Sequence, residues 1–220
     1  PFERYGNVSL RYVDSVGDLH QPDMIILPGT KSTIADLRWL RQCGLEAAIH
    51  KAADAGTLVF GVCGGYQILG RTVSDPEQVE AAGTTEILGM GLLEMDTIFL
   101  GEKVQTQTTG IFAGISGVLS DLNGMSYSGY EIHMGRSEEE MPALAGTGNV
   151  YGSYVHGVFD ASGISDTILK ALCVRKGIDF DALESFDISE YKEHQYDLLA
   201  DAVRSGLDME FIYRILNREV

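Results

Sequence analysis

Long apolar runs are missing from this 220-residue chain. No stretch approaches the roughly 18 apolar residues a membrane span needs, and no leader pattern opens the chain. Cysteine is scarce. Cys43, Cys63 and Cys173 are odd in number, widely spaced and form no Cys-x-x-Cys pair. That excludes a disulfide framework and points to a reducing cytoplasm. Basic residues are outnumbered, 16 against 32 acidic, for a net charge of −16. Such a surface is a poor match for nucleic acid or an anionic membrane. Internal repeats and low-complexity segments are absent as well. What remains is 45% hydrophobic and 22% charged, ordinary proportions for a soluble globular protein long enough to bury a substantial core. The start at Pro1 in place of Met reads as one domain of something longer.

One stretch organises the rest: Thr57-Leu-Val-Phe-Gly-Val-Cys63-Gly-Gly-Tyr-Gln-Ile-Leu-Gly70. Leu58 to Val62 is a short apolar run of the kind that forms a buried strand. It ends on Cys63, followed by two glycines and a helical Tyr66–Leu69. Gly61-x-Cys63-x-Gly65 is the spacing of a nucleophile elbow with cysteine at the apex. Small flanking residues let strand and helix cross closely, and a helix starting at Gly64 aims N–H groups and its positive dipole end at the sulfur, favouring thiolate.

Upstream, residues 8–16 alternate well enough to predict a first strand. Met24–Leu27 predicts a second, opening into the Pro28-Gly29-Thr30 turn. A helix with Ser32 or Thr33 as N-cap should run to Gly44, and another over Leu45–Ala55 should close at Gly56. Strand, helix, strand, helix at this spacing marks a parallel α/β sheet. From about Glu86 to Tyr154, β-like runs (Leu88–Phe99, Gln105–Thr109, Tyr130–Met134, Val150–Val155) separated by glycines predict mostly antiparallel strands added to that sheet. Helices are expected at 165–176, 190–205 and 209–216. The domain reading is 1–178 for the main domain and 179–220 for a helical extension packed on it.

A cysteine nucleophile needs a base, usually histidine, brought near by the fold. His20, His50 and His194 lie among polar or charged neighbours and read as surface. His133 and His156 each end a β-like run and precede a glycine closely, where sheet enzymes place catalytic groups; the residues alone do not rank them. A metal site from Cys63, His133 and His156 has no ligand spacing to support it, so no metal is expected. The Pro28–Thr30 turn is the candidate for a second oxyanion donor, Gly29 or Thr30, beside Gly64. Gly29-Thr-Lys-Ser-Thr33 lacks the phosphate-loop register.

These features together resemble a class I, or triad, glutamine amidotransferase domain. Leu27-Pro-Gly-Thr-Lys-Ser-Thr33, Gly61–Gly70, Gly129-Tyr-Glu-Ile-His-Met-Gly135 and Gly152-Ser-Tyr-Val-His-Gly-Val-Phe-Asp160 are similar to the C-terminal domain of the cobyric acid synthase family, as is the tail around Leu198–Met209. The resemblance implies a three-layer, flavodoxin-like α/β fold with a parallel central sheet, added antiparallel strands and a C-terminal helical segment. It implies that Cys63 forms a glutamyl thioester with His156 as base, that Gly29, Thr30 and Gly64 hold the oxyanion, and that Gln67, Tyr130, Glu131 and His133 help seat glutamine. It further implies an N-terminal synthetase domain in cis, absent here, that uses ATP and Mg2+ to amidate a corrinoid, with no cofactor on this domain. Most triad amidotransferases carry Glu two residues after the histidine; here Val158 stands there, as in that branch. Asp160 and Glu131 are the nearest carboxylates to orient His156. The competing readings are the glutaminase subunit that amidates peptidoglycan lipid II, a Cys–His elbow hydrolase, and a non-catalytic module that keeps the fold.

Overall fold

A computed structural model of the chain describes residues 1–80, 83, 85–137, 142–180 and 188–218. It divides into two units, Pro1–Glu184 and Ser185–Val220. In chain order the first holds α1 (Val16–Leu19), β1 (Met24–Leu27), α2 (Thr33–Gln42), α3 (Leu45–Asp54), β2 (Leu58–Val62), α4 (Gly64–Leu69), β3 (Thr72–Ser74), β4 (Glu86–Leu88), β5 (Asp96–Ile111), β6 (Ser126–Ser137), β7 (Ala145–Thr147), β8 (Val150–Ser153) and α5 (Ile164–Lys176). The second holds α6 (Ile188–Gly206) and α7 (Met209–Leu216), where Asp208 caps α7 by accepting from the Phe211 N–H.

The core sheet runs β1-β2-β8-β7. β1, β2 and β8 are parallel, and β7 closes the edge antiparallel. Because side chains alternate across a strand, each strand feeds both faces. Ile25, Leu27 and Val59 pack with Leu37, Leu40, Leu45 and Ile49 of α2 and α3. Leu58, Phe60 and Tyr151 pack on the other side with Ile164, Ile168 and Leu169 of α5. The result is the expected three-layer α/β arrangement. Each such aliphatic or aromatic side chain, once buried, stabilises by about 1.5–3 kcal/mol.

The structure corrects two local expectations and, at the N-cap of α2, bears out the position while supplying the capping group from elsewhere. Residues 8–16 form no strand. Leu10 and Tyr12 are exposed, so their alternation has no buried face to pay for pairing, and the Arg11 guanidinium instead donates to the carbonyls of Asp18 and Leu19. Ser32 occupies the N-cap of α2 without a side-chain cap bond; the Ile34 N–H is met at 2.9 Å by Glu80, a carboxylate delivered from a loop that Asp75 holds through the Val79 and Glu80 N–H groups. The middle strands do not all join the core. β4-β3-β5-β6 is a second sheet, built around one long β5–β6 hairpin with a register shift between Ile98 and Lys103. Residues 89–95 are loop, whereas β8 is a parallel core strand. Cross-strand pairing of distant segments decides this, and alternation along one segment does not report it.

Gly65 marks a close backbone crossing. A Cβ there would lie 2.1 Å from the Leu27 carbonyl oxygen. Gly65→Ala is expected to cost about 3 kcal/mol or more by overpacking, whereas Gly6→Ala, with nothing within 4 Å, should stay within about 0.5 kcal/mol of the parent; equilibrium denaturation of the two variants checks the contrast.

Candidate active site

Cys63 sits between β2 and α4 with φ 52° and ψ −110°, a left-handed conformation that costs a non-glycine residue of order 1–3 kcal/mol. Glycines permit it. A Cβ on Gly61 would meet the Gly65 carbonyl at 2.7 Å, and one on Gly152 would enter the Tyr66 ring at 1.9 Å. The Cys63 N–H donates to the Ser153 carbonyl at 2.8 Å, fixing the apex to β8. The elbow predicted from Gly61-x-Cys63-x-Gly65 is therefore formed, at the carboxyl end of a central parallel strand.

Three further groups converge on it. Gly29 lies with its Cα face 3.3 Å from the His156 ring and 3.5 Å from the Cys63 side chain, measured from where a Cβ would stand. The Thr30 backbone nitrogen is 3.0 Å from the corresponding point on Gly64. The Thr30 hydroxyl donates to Asp36 and accepts from the Ser32 N–H, so the turn is held by the first turn of α2. The opening N–H groups of a helix have no intrahelical partner. Gly29 thus lies beside the Cys63 and His156 side chains, and Thr30 beside Gly64.

The two histidines that the residues left unranked are separated by their surroundings. His133 is engaged at both nitrogens, Nδ1 with the Gly135 carbonyl at 2.9 Å and Nε2 with Glu131 at 3.4 Å, and its ring stacks on Tyr154 at 4.0 Å. His156 shares the Gly29 contact with Cys63, and its buried Nε2 has no hydrogen-bond partner. A base must keep a nitrogen available; His156 does and His133 does not. Among the described residues no group of three or more His, Cys, Asp or Glu side chains is placed to hold a metal ion.

Electrostatics corrects the expectation of a favoured thiolate. Burial pushes the Cys63 thiol up, and the Glu131 charge adds to it; the Gly64 N–H opposes them but does not win. The sulfur instead faces the Ile132 carbonyl at 3.5 Å. Burial pushes His156 down, aided by nearby His133 and opposed by the Ile132 carbonyl and Glu131. Thiol and imidazole are therefore both held neutral near pH 7, a pair suited to passing a proton during attack.

Residues 1–164 match the model of the CobB/CobQ-like glutamine amidotransferase domain. The chain belongs to this family. It is 49% identical to cobyric acid synthase of Lachnoclostridium phytofermentans over 99% of its length, covering 47% of that protein. It is 44% identical to cobyric acid synthase of Ruminiclostridium cellulolyticum over 96%, covering 45% of that one. The chain spans about half the length of these curated relatives. A crystal structure of a glutamine amidotransferase shares the fold, with a TM-score of 0.50 at 17% identity over 76% of this chain and 85% of that one.

In this amidotransferase domain, Val158 is 2% exposed inside the apolar cluster with Phe60 and Ile164, so its position gives a carboxylate no polar setting. Glu131 is turned to His133. Gln67, also 2% exposed, has both ends of its amide engaged: it accepts from Thr33 and donates to the Met134 carbonyl at 3.0 Å. Tyr130 stacks on His156, ring centroids 5.1 Å apart and 5° from parallel. Sequence reasoning missed Ile132, whose contribution is a backbone carbonyl, and Tyr154, whose ring lies between His133 and Tyr66. No residue-type signal marks either.

Two outcomes follow from this chemistry. Alkylation of Cys63 by iodoacetamide should keep rising with pH beyond the range where an ordinary thiol has levelled off, since the raised thiol pKa delays thiolate formation; rates across pH 6–10 measured against exposed model thiols check this. Val158→Glu should destabilise by about 3–5 kcal/mol as a buried unpaired charge without raising activity, read by denaturant midpoint and glutamine turnover.

Proposed function

We propose that this chain is the glutaminase half of an ATP-dependent cobyric acid synthase, releasing ammonia from glutamine for amidation of corrinoid side-chain carboxylates. The observation that carries the reading is the meeting of Cys63, His156 and Gly29 at the elbow, in a chain whose similarity to cobyric acid synthases spans nearly its full length. As the Cys63 sulfur attacks the glutamine side-chain amide, His156 takes the thiol proton. The N–H of Gly64, with that of Gly29 or Thr30, supports the oxygen that becomes negative, a contribution worth about 3–4 kcal/mol per donor in comparable sites. The proton then passes from His156 to the departing nitrogen, which leaves as ammonia. Water, deprotonated by His156, opens the thioester to glutamate and returns the proton to sulfur. Lowered basicity keeps His156 neutral below the usual imidazole range, so activity is lost only as pH falls beneath that range.

In this reading the glutaminase steps use no ATP or Mg2+. Gly29 packs against Cys63 and His156, and Thr30 against Gly64, which supports an oxyanion role for this turn. ATP and Mg2+ belong instead to a synthetase domain in the same polypeptide, consistent with relatives about twice as long. Three free cysteines fit work in the cytoplasm. Among the described residues, no helix is long and apolar enough to cross a membrane. The relatives give no support to lipid II amidation.

In the full-length enzyme, Cys63→Ala should reduce glutamine-dependent amidation to background while ammonia-dependent amidation persists, and a glutamine-analogue diazoketone should label wild-type Cys63. His156→Ala should slow glutamate release about 10²- to 10⁴-fold. Undiminished glutamine use by Cys63→Ala, or absence of labelling, overturns the reading.

A further inference from the structure

The imidazole of His156 has no carboxylate two residues on to hold it, yet a base that is free to rotate is a poor one. In a serine protease triad, loss of correct imidazole orientation costs about 10⁴ in rate. The structure supplies a different support. We propose that Tyr130 is a positioning residue for His156, holding the ring from β6 in the role that the absent carboxylate fills elsewhere; this rests on the glutaminase reading of Cys63 and His156.

Three observations converge. First, the backbones of the two residues clamp each other outside any regular ladder: the Tyr130 N–H donates to the His156 carbonyl at 3.2 Å and the His156 N–H donates to the Tyr130 carbonyl at 2.8 Å. Second, the side chains continue the clamp, the phenol lying 5.1 Å from the imidazole and 5° from parallel. A stacked partner fixes the plane of the ring without occupying Nε2, whereas a carboxylate holds an edge. The unpartnered Nε2 of His156 is what this mode of support leaves. Third, the preceding residue is shaped for the approach. A Cβ on Gly129 would stand 2.2 Å from the His156 carbonyl oxygen and 2.7 Å from the Val155 side chain, so only glycine lets β6 come this near.

The nearest carboxylate on the same strand does not compete for this role, because Glu131 contacts the Nε2 of His133. The next carbonyl, Ile132, faces the Cys63 sulfur. One five-residue segment of β6 therefore addresses both partners of the dyad: Gly129 and Tyr130 pack on the base, the Ile132 carbonyl faces the nucleophile and also acts on the base, and Glu131 contacts His133. Tyr130 is 47% exposed, which fits a ring shielding one face of the imidazole more than a residue enclosing substrate.

The test uses Tyr130→Leu and Tyr130→Phe in the full-length polypeptide, with folding of each checked by thermal unfolding. Tyr130→Leu should lower kcat for glutamine hydrolysis about 10- to 100-fold, short of the roughly 10⁴ that follows full loss of imidazole orientation, with KM for glutamine unchanged within about twofold. Tyr130→Phe, which keeps the ring face, should restore the wild-type rate. Independently of turnover, NMR titration of the His156 imidazole should move upward toward the ordinary histidine value in Tyr130→Leu and stay put in Tyr130→Phe. A rise in KM with kcat retained would make Tyr130 a glutamine-seating residue and overturn the proposal. So would a Phe variant as slow as the Leu variant, or a His156 titration indifferent to both. If the wild-type protein releases no glutamate at all, the glutaminase reading fails, and the NMR titration still decides whether Tyr130 holds His156.

Discussion

The left-handed backbone at Cys63 is the constraint on which the site depends. A side chain at φ 52° is stable only where its neighbours leave the chain no easier path. Here they are Gly61, Gly65 and Gly152, each so close to backbone or ring that a single methyl group would collide. The same crowding carries α4 directly over the Leu27 end of β1 and sets Gly29 and Thr30 beside the sulfur. The strain at the nucleophile and the assembly of its surroundings are one packing solution.

That packing also decides the charge state. A helix N-terminus by itself draws a cysteine toward thiolate, and the Gly64 N–H does pull that way. Burial opposes it and prevails, because β6 lies across the sulfur with its Ile132 carbonyl turned inward. Depth within the protein keeps His156 neutral too. In the proposed glutaminase chemistry, the Cys63–His156 pair thus stores its proton on sulfur and moves it during the reaction. A preformed ion pair would place two charges in a site that solvates neither well.

The β5–β6 hairpin ties the two sheets of the first unit to the chemistry. From its edge position β6 pairs with His156, faces Cys63 and receives the Gln67 amide at Met134. Gln67 in turn accepts from Thr33 at the start of α2, the helix whose Asp36 holds Thr30. The elbow, the Gly29–Thr30 turn, His156 and the hairpin are linked through packing, short hydrogen bonds and one aromatic stack.

Much of this was legible in the residues. Gly61-x-Cys63-x-Gly65, the apolar runs at 24–27 and 58–62, and the apolar spacing of α2 and α3 encode local geometry through sterics and burial, and these determined the parallel α/β core and the elbow. Motif resemblance ordered the histidines where spacing could not. Tertiary structure alone decided the rest, because it depends on pairing between segments far apart in the chain. It made residues 8–16 irregular and drew the middle strands into a separate sheet. It capped α2 with Glu80 from 46 residues away. It engaged both nitrogens of His133 while leaving Nε2 of His156 unpartnered. It also reversed the expected charge of Cys63, since burial is a property of the assembled fold and no run of residues around a cysteine states how deep it will lie.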